Sequence, residues 1–238
     1  MKRILTFSLL LVSTSILFAE DTFKPAPRNK EYGWMSIAAW KQRHEKNLVR
    51  AMQGNADVVF FGDSITEGWG NNSAWKKHFA PINSVNFGIG GDTTQNVLWR
   101  ITNGELEGIT PKLFVVMIGT NNFGLHNDKP EDVANGVKTI VETLQKKVPT
   151  AKVLLLAVFP RGQKLDNEFR KRITNLNEEI SKLQDGKKIV YLDIKDAFLD
   201  KEGSLPKELM PDFLHLSEKG YFVWAEAIEP TVKKMLAD

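Results

Sequence analysis

The stretch Val58-Val59-Phe60-Phe61-Gly62-Asp63-Ser64 decides the fold class of this chain. Its four consecutive β-branched or aromatic residues are typical of a strand that is buried on both faces of a parallel sheet. The run stops at Gly62, so Ser64 is expected just beyond the strand, where it should begin a helix. The pattern predicts an α/β protein that presents a serine at the edge of the sheet where ligands bind.

Four further segments have the composition of strands, and helical patterns lie between them. The predicted strands are 57–62, 84–87, 113–119, 152–158 and 188–192, and the predicted helices are 34–53, 94–101, 131–147, 167–184 and 217–236. Alternation of strands and helices along the whole chain predicts a doubly wound α/β fold without repeats or a domain-sized linker.

The N-terminal residues differ in composition from the rest of the chain. Met1-Lys2-Arg3 forms a basic head, residues 4–18 are mostly apolar, and Leu17 and Ala19 occupy the positions that precede a signal-peptidase cut. We predict a secretory signal peptide over 1–19, an extended N-terminal arm over 20–33 and a single domain over 34–238. The alternative is an uncleaved membrane anchor, but the apolar part is short for a span and no basic stop-transfer flank follows it.

Charge and cysteine content restrict the partners and cofactors. Cleavage near Ala19 would remove Lys2 and Arg3 and lower the formal net charge from +3 to +1, and no basic patch indicates a nucleic-acid partner. The chain has no cysteine, which excludes disulfides, a thiolate nucleophile and Cys-ligated zinc. We expect an exported protein, periplasmic or extracellular, with no stable membrane anchor.

Asp212 and His215 are of the residue types that a serine nucleophile requires. A serine hydroxyl is a weak nucleophile near neutral pH and needs a general base, which is usually a histidine. An aspartate three residues before a histidine can hold the imidazole in one tautomer. Ser64 could instead be a helix N-cap, and Asp212 and His215 a helix-entry acid and a surface histidine. His126 is the best rival base, because its loop follows Asn121 at the same sheet edge.

Gly91 and Asn121 follow the second and third predicted strands. A glycine lets a backbone N–H approach a developing oxyanion without obstruction, and the Asn121 amide can donate to the same atom. A tight turn at 88–92 and a turn asparagine are the alternatives. The glycines do not form a dinucleotide-binding loop, because Thr93 stands where the third glycine is required. Residues 62–66 also depart from the Gly-x-Ser-x-Gly elbow of α/β-hydrolases.

Four blocks together resemble the SGNH (GDSL) hydrolase superfamily: Gly62–Ser64, Asn86–Asp92, Gly119–Asn122 and Asp212–Leu216. Within it, the chain is most similar to the catalytic alpha subunits of the platelet-activating factor acetylhydrolases, from about residue 34 to the C-terminus. The resemblance implies a three-layer, flavodoxin-like fold with a five-stranded parallel sheet, and a homodimer is possible.

The resemblance also implies a role for each candidate residue. Ser64 would be the nucleophile, His215 the base and Asp212 its orienting acid. The backbone N–H groups of Ser64 and Gly91 and the side chain of Asn121 would form the oxyanion hole. No metal or organic cofactor takes part in such a site.

The export signal sets this chain apart from the cytosolic enzymes that it resembles, so a different natural ester is expected. We predict a serine esterase that removes short acyl groups, acetyl above all, from a small-molecule or carbohydrate ester. The alternatives are a phospholipase, lysophospholipase or thioesterase with the same site, or a non-catalytic exported binding module. Trp69 and Trp75 either line the substrate site or pack in the core.

Overall fold

A computed structural model of the chain describes residues 21–70 and 72–237, so the predicted signal peptide over 1–19 lies outside the described residues. Five parallel strands form one sheet in the order β2-β1-β3-β4-β5. Their bounds are β1 Val58–Gly62, β2 Ser84–Asn86, β3 Leu113–Met117, β4 Lys152–Leu156 and β5 Ile189–Leu192. The predicted fold class is confirmed, and the strand order is that of flavodoxin.

Seven α-helices are described, and they cover both faces of the sheet. They are α1 Ile37–Met52, α2 Ser64–Glu67, α3 Ser73–His78, α4 Thr94–Thr102, α5 Pro130–Lys147, α6 Glu168–Ser181 and α7 Glu218–Ala237. A π-helix, Asn122–His126, follows β3, and single 3₁₀ turns lie at Ala80–Ile82 and Lys195–Ala197.

The first predicted helix begins too early. We expected it from Trp34, but α1 begins at Ile37, because the Ser36 side chain accepts a hydrogen bond from the Ala39 N–H at 3.0 Å and caps the helix. Trp34 therefore lies in the arm before the helix. Helix α3 was not predicted at all, since its six residues are too few to display a helical period.

The two faces of the sheet have different cores. Because side chains alternate along a strand, Val59 and Phe61 of β1 enter one core, and Val58 and Phe60 enter the other. The first core is mainly aliphatic and is covered by α4, α5 and α6. The second is aromatic and is covered by α3 and α7.

Trp69 and Trp75 belong to the aromatic core. Trp69 is fully buried and its ring lies 4.5 Å from that of Trp224, while Trp75 packs at 5.1 Å from Phe60. Neither ring lines the site described below, so the interpretation of these two residues as a substrate wall is wrong, and the core alternative is confirmed.

The sheet places three candidate residues at one edge. Ser64 follows β1, Gly91 lies in the loop after β2, and Asn121 follows β3, and these three strands are neighbours.

None of the helices in residues 21–70 and 72–237 is long and apolar enough to cross a lipid bilayer.

Candidate active site

Ser64 is the first residue of α2, and its hydroxyl does not cap the helix, because the residue before it does so. The Asp63 side chain accepts a hydrogen bond from the Ile65 N–H at 2.9 Å. The interpretation of Ser64 as an N-cap is therefore wrong. Gly62 allows this sharp transition from strand to helix, since a Cβ there would overlap Thr66 and the Met117 carbonyl.

Ser64, His215 and Asp212 form a continuous hydrogen-bonded chain. Ser64 Oγ lies 2.9 Å from His215 Nε2, and His215 Nδ1 lies 2.7 Å from Asp212 Oδ2. The other carboxylate oxygen of Asp212 accepts from the backbone N–H groups of His215 at 2.7 Å and Leu214 at 3.1 Å. If Nδ1 carries the proton toward Asp212, Nε2 is left as an acceptor for the serine proton.

The charge of Asp212 is favoured by its hydrogen bonds. Partial burial acts to raise the pKa of this carboxyl, but the hydrogen bonds from the His215 ring and backbone outweigh it and hold the pKa below its ordinary value.

The loop between Asp212 and His215 has an unusual backbone conformation. Phe213 has φ of 60°, a left-handed conformation that is rare for a bulky side chain. The loop is thus held in a strained shape at the site, as is common around functional residues.

None of the other histidines reaches Ser64. The sequence has four histidines, all in the described part of the chain. His44 is bonded to Glu105, and His78 pairs with Glu229. His126, the rival base, lies in the π-helix with its nearest acid, Asp128, at 3.9 Å. The structure therefore brings His215, and not His126, to the serine.

Gly91 and Asn121 face the same cavity as Ser64. Gly91 has φ of 75°, and a Cβ on it would overlap the ring of Trp34 and the guanidinium of Arg28, so the position requires glycine. The Asn121 amide nitrogen donates one hydrogen bond to the Asp92 carbonyl at 3.0 Å. A side-chain amide carries two N–H donors, so one remains for a ligand.

The cavity has a volume of about 390 Å³, within the range of small-molecule sites. Its apolar lining comes from Trp34, Met35, Leu125 and Leu214, and its polar lining from Arg43, Ser64, Glu67, Asn121, Arg161 and His215, with the backbone of Gly90 and Gly91 between them. A hydroxyl, an imidazole and several N–H donors thus converge on one small space.

A buried ionic network lies under the glycine loop. The Asp92 carboxylate accepts from Arg100 Nε at 2.8 Å and from Trp40 Nε1 at 2.6 Å. Arg100 also bonds Glu105, and all three charged side chains are fully buried. From the arm, Arg28 donates to the Gly90 carbonyl at 2.9 Å. The sequence alone assigned no role to these residues.

Three charged side chains at the mouth of the cavity were also missed. The Glu67 carboxylate accepts from the Gly90 N–H at 2.8 Å and pairs with Arg43 Nε at 2.7 Å. Arg161 donates to the Thr120 carbonyl at 3.2 Å, and its guanidinium stacks over a phenylalanine ring at 4.1 Å. Burial lowers the pKa of Arg161, although the arginine remains a cation. In sequence these side chains cannot be told from ordinary surface charges.

Comparison with known proteins places this site in a family. The model of the GDSL-like lipase/acylhydrolase family matches residues 60–222. The platelet-activating factor acetylhydrolase IB subunit alpha1 of Rattus norvegicus is 37% identical over 218 residues, covering 90% of each chain.

Solved structures share the fold. A GDSL-like lipase from Bacteroides thetaiotaomicron has a TM-score of 0.67 at 22% identity, covering 83% of this chain and 98% of its own. A carbohydrate acetylesterase from Sinorhizobium meliloti has a TM-score of 0.59 at 18% identity, covering 76% of this chain and 99% of its own. By the family model that it matches and the 37% identical relative, the chain belongs to the GDSL-like lipase/acylhydrolase family and is an ester-hydrolysing enzyme.

Proposed function

We propose that this protein is an exported serine esterase that removes short acyl groups, acetyl above all, from a carbohydrate ester. The observation that carries the proposal is the hydrogen-bonded chain from Ser64 through His215 to Asp212, with distances of 2.9 and 2.7 Å, at a cavity that also contains Gly91 and Asn121. This arrangement supports a nucleophilic serine with a general base beside it.

In the first step, His215 Nε2 takes the proton of Ser64 as Oγ attacks the ester carbonyl carbon. Asp212 remains ionised and stabilises the imidazolium that forms. The protonated ring then gives its proton to the alcohol oxygen, the bond between that oxygen and the carbonyl carbon breaks, and the alcohol leaves an acyl-Ser64 behind.

In the second step, water attacks the acyl-enzyme. His215 accepts a proton from the water, and a tetrahedral intermediate forms, as it does when Ser64 attacks the ester. The bond between Ser64 Oγ and the carbonyl carbon then breaks, and His215 returns the proton to Oγ, which releases the carboxylic acid and restores the Ser64 hydroxyl. In both intermediates the oxyanion would be held by the N–H groups of Ser64 and Gly91 and by the free Asn121 amide N–H. Loss of one such donor typically costs about 3 kcal/mol of transition-state stabilisation.

The lining of the cavity favours a short acyl group and a polar alcohol. A long acyl chain requires a continuous apolar channel, whereas charged side chains interrupt this lining at Arg43, Glu67 and Arg161. The acetylhydrolase relative acts, by its name, on an acetyl ester. The carbohydrate part of the proposal is supported by the polar mouth of the cavity and by the export signal predicted over 1–19.

The first experiment is hydrolysis of p-nitrophenyl acetate, butyrate and octanoate by the protein from residue 20 onward. We expect the acetate ester to give the highest kcat/KM. Ser64→Ala should lower it by at least about 10⁴-fold, since removal of the nucleophile leaves only binding and oxyanion stabilisation. Ser181→Ala, which removes another serine hydroxyl at the far end of α6, is the matched control and should leave the rate unchanged.

Each other outcome points to a specific alternative. A preference for octanoate would indicate a phospholipase or a related lipid hydrolase, and a preference for acyl thioesters in a parallel assay would indicate a thioesterase. Equal rates for the parent and Ser64→Ala would contradict the serine mechanism and favour a binding module. Export is tested separately, by the N-terminal sequence of protein recovered outside the cytoplasm, and the possible homodimer by size-exclusion chromatography.

A further inference from the structure

A tight turn in the N-terminal arm carries an exposed tryptophan to the mouth of the cavity. The Tyr32 and Met35 N–H groups donate to each other's carbonyl oxygens at 3.0 and 2.9 Å, so Gly33 and Trp34 form the tip of this turn. We call residues 32–35 the arm turn. Trp34 is 57% exposed, yet its side chain lines the same cavity as Ser64. An exposed, ordered aromatic ring beside a nucleophile is placed to contact a substrate.

The Trp34 ring is held in place before any substrate binds. The Tyr32 ring stacks against it, with centroids 4.9 Å apart and an angle of 15° between the planes. The Arg28 guanidinium lies within 5.5 Å of both ring centroids and is tied to the Gly90 carbonyl. Such preorganisation reduces the entropy that is lost on binding.

The ring also lies beside the predicted oxyanion position. It packs so closely on Gly91 that a Cβ at that position would overlap it. An ester bound with its carbonyl oxygen at the Gly91 N–H would therefore have the Trp34 ring beside it. In an acetylated sugar, the ring carbon that bears the ester is bonded directly to the ester oxygen, so the sugar ring reaches this surface.

The surroundings of Trp34 fit a sugar better than an alkyl chain or an organic cation. A pyranose has apolar C–H faces and hydroxyl groups around its edge, and it needs one flat apolar surface with polar groups beside it. Trp34 offers that surface, while Glu67 and Arg43 offer an acceptor and donors close by. A quaternary ammonium ion can also stack on tryptophan, but two arginines against one glutamate in the lining disfavour a cation.

We propose that Trp34 is a specificity-determining residue whose exposed face stacks on the pyranose ring of the acetylated substrate. This inference rests on the proposed function and deepens it by assigning a subsite for the alcohol part. The turn that precedes α1 then supplies a substrate contact, and the elements that follow it supply the reacting groups.

The test compares two acetate esters that share an acyl group and differ in the alcohol. One is a monoacetylated methyl xylopyranoside and the other is ethyl acetate, both followed by acid release. Trp34→Ala should lower kcat/KM on the sugar ester by about tenfold, mainly through KM, while changing ethyl acetate hydrolysis by less than about twofold. Trp34→Phe should restore most of the activity on the sugar. Phe23→Ala, a change of an exposed aromatic elsewhere in the arm, should affect neither ester.

The alternative results can be separated. If Trp34→Ala lowers both rates equally, the residue only supports the Gly91 loop, and if it lowers neither, the ring does not touch the substrate; both results overturn this inference alone. If the parent enzyme cleaves ethyl acetate but not the xyloside, the carbohydrate part of the proposed function fails. In the Ser64→Ala background, calorimetry with xylotriose should show binding that disappears when Trp34→Ala is added, and equal binding would overturn the subsite.

Discussion

The two halves of the candidate site are built in opposite ways. The acid–base half, Asp212 and His215, lies on a loop, and its side chains are 56% and 47% exposed. The oxyanion half rests on Asp92, Arg100 and Glu105, whose side chains are fully buried. On the proposed mechanism, the exposed half exchanges protons with substrate and water, while the buried half fixes the positions of the N–H donors.

The largest expected effect separates activity from stability in the exposed half. His215→Ala should lower kcat on p-nitrophenyl acetate by about 10⁴-fold, because Ser64 loses its base. Its free energy of unfolding should change by less than about 1 kcal/mol, since the side chain is half exposed and packs little. His126→Ala is the matched control and should keep nearly full activity. Urea unfolding measures the stability of the two variants, and initial rates measure their activity. A large loss of stability in His215→Ala would contradict the separation of activity from stability in the exposed half.

In the buried half, a substitution should lower the stability of the fold. Arg100→Met keeps much of the side-chain volume but leaves the Asp92 and Glu105 carboxylates without their arginine. We therefore expect the free energy of unfolding to fall by about 3–5 kcal/mol. Lys138→Met removes an exposed charge from α5 and should change stability by less than about 0.5 kcal/mol. Urea midpoints measure both. A cost below 1 kcal/mol for Arg100→Met would show that the network does not stiffen this half.

Asp63 lies between the halves and should make stability depend on pH. Burial raises the pKa of this carboxyl to about 7, despite the hydrogen bond from the Ile65 N–H. The unfolded chain has the ordinary pKa of about 3.9, so between these values the folded state binds more protons and its stability falls as pH rises. Asp63→Asn can still cap α2 but cannot ionise. The variant should therefore gain stability relative to the parent between pH 4 and pH 8, on the order of 3 kcal/mol.

Unfolding in urea at a series of pH values measures this difference directly. The expected signature is a flatter stability profile for Asp63→Asn than for the parent over the acid-to-neutral range. Parallel profiles for the two proteins would mean that the Asp63 carboxyl ionises normally in the folded state. The exposed Asp21→Asn is the matched control, and its profile should follow that of the parent.

The smallest effect concerns the support of the nucleophile. Tyr221 of α7 donates its hydroxyl to the Ile65 carbonyl in α2 at 2.7 Å, and the side chain is 5% exposed. Tyr221→Phe leaves that carbonyl without its partner and should destabilise the protein by about 1 kcal/mol, with kcat reduced by a few-fold at most. Tyr191→Phe, at a half-buried tyrosine of β5, is the comparison. A kcat loss as large as that of His215→Ala would show that α2 has little rigidity of its own.

The exposed half was largely predictable because its signals are local. Ser64 directly follows an apolar strand, and Asp212 and His215 are three residues apart, so short patterns in the sequence nominated these three residues, and the structure brings them together. The strand sequences also fixed the fold class, since buried parallel strands are continuous apolar runs. Gly91 and Asn121 were found in the same way, from their places after strands.

The buried ionic network beneath Gly91 and the arm turn could not be predicted, for a physical reason. Charged residues such as Arg100 and Glu105 are usually exposed, and only three-dimensional contacts reveal that they neutralise one another in the interior.

The tryptophans of the core and of the cavity could not be told apart in the sequence. Trp69 and Trp75 were considered for the substrate site but are core residues, while Trp34 was assigned to a helix and lies at the cavity. Composition alone does not distinguish a core aromatic from a binding one.

The hydrogen bond between Ser64 and His215 joins residues 151 positions apart, almost the two ends of the domain. Such a contact is non-local, so the long loop between the two residues must close before it can form. The oxyanion half uses strands that follow one another early in the chain, whereas the base arrives only with the final loop before α7. On the proposed mechanism, an incompletely folded chain has no base beside Ser64, and we expect ester hydrolysis to begin only when the whole domain has closed.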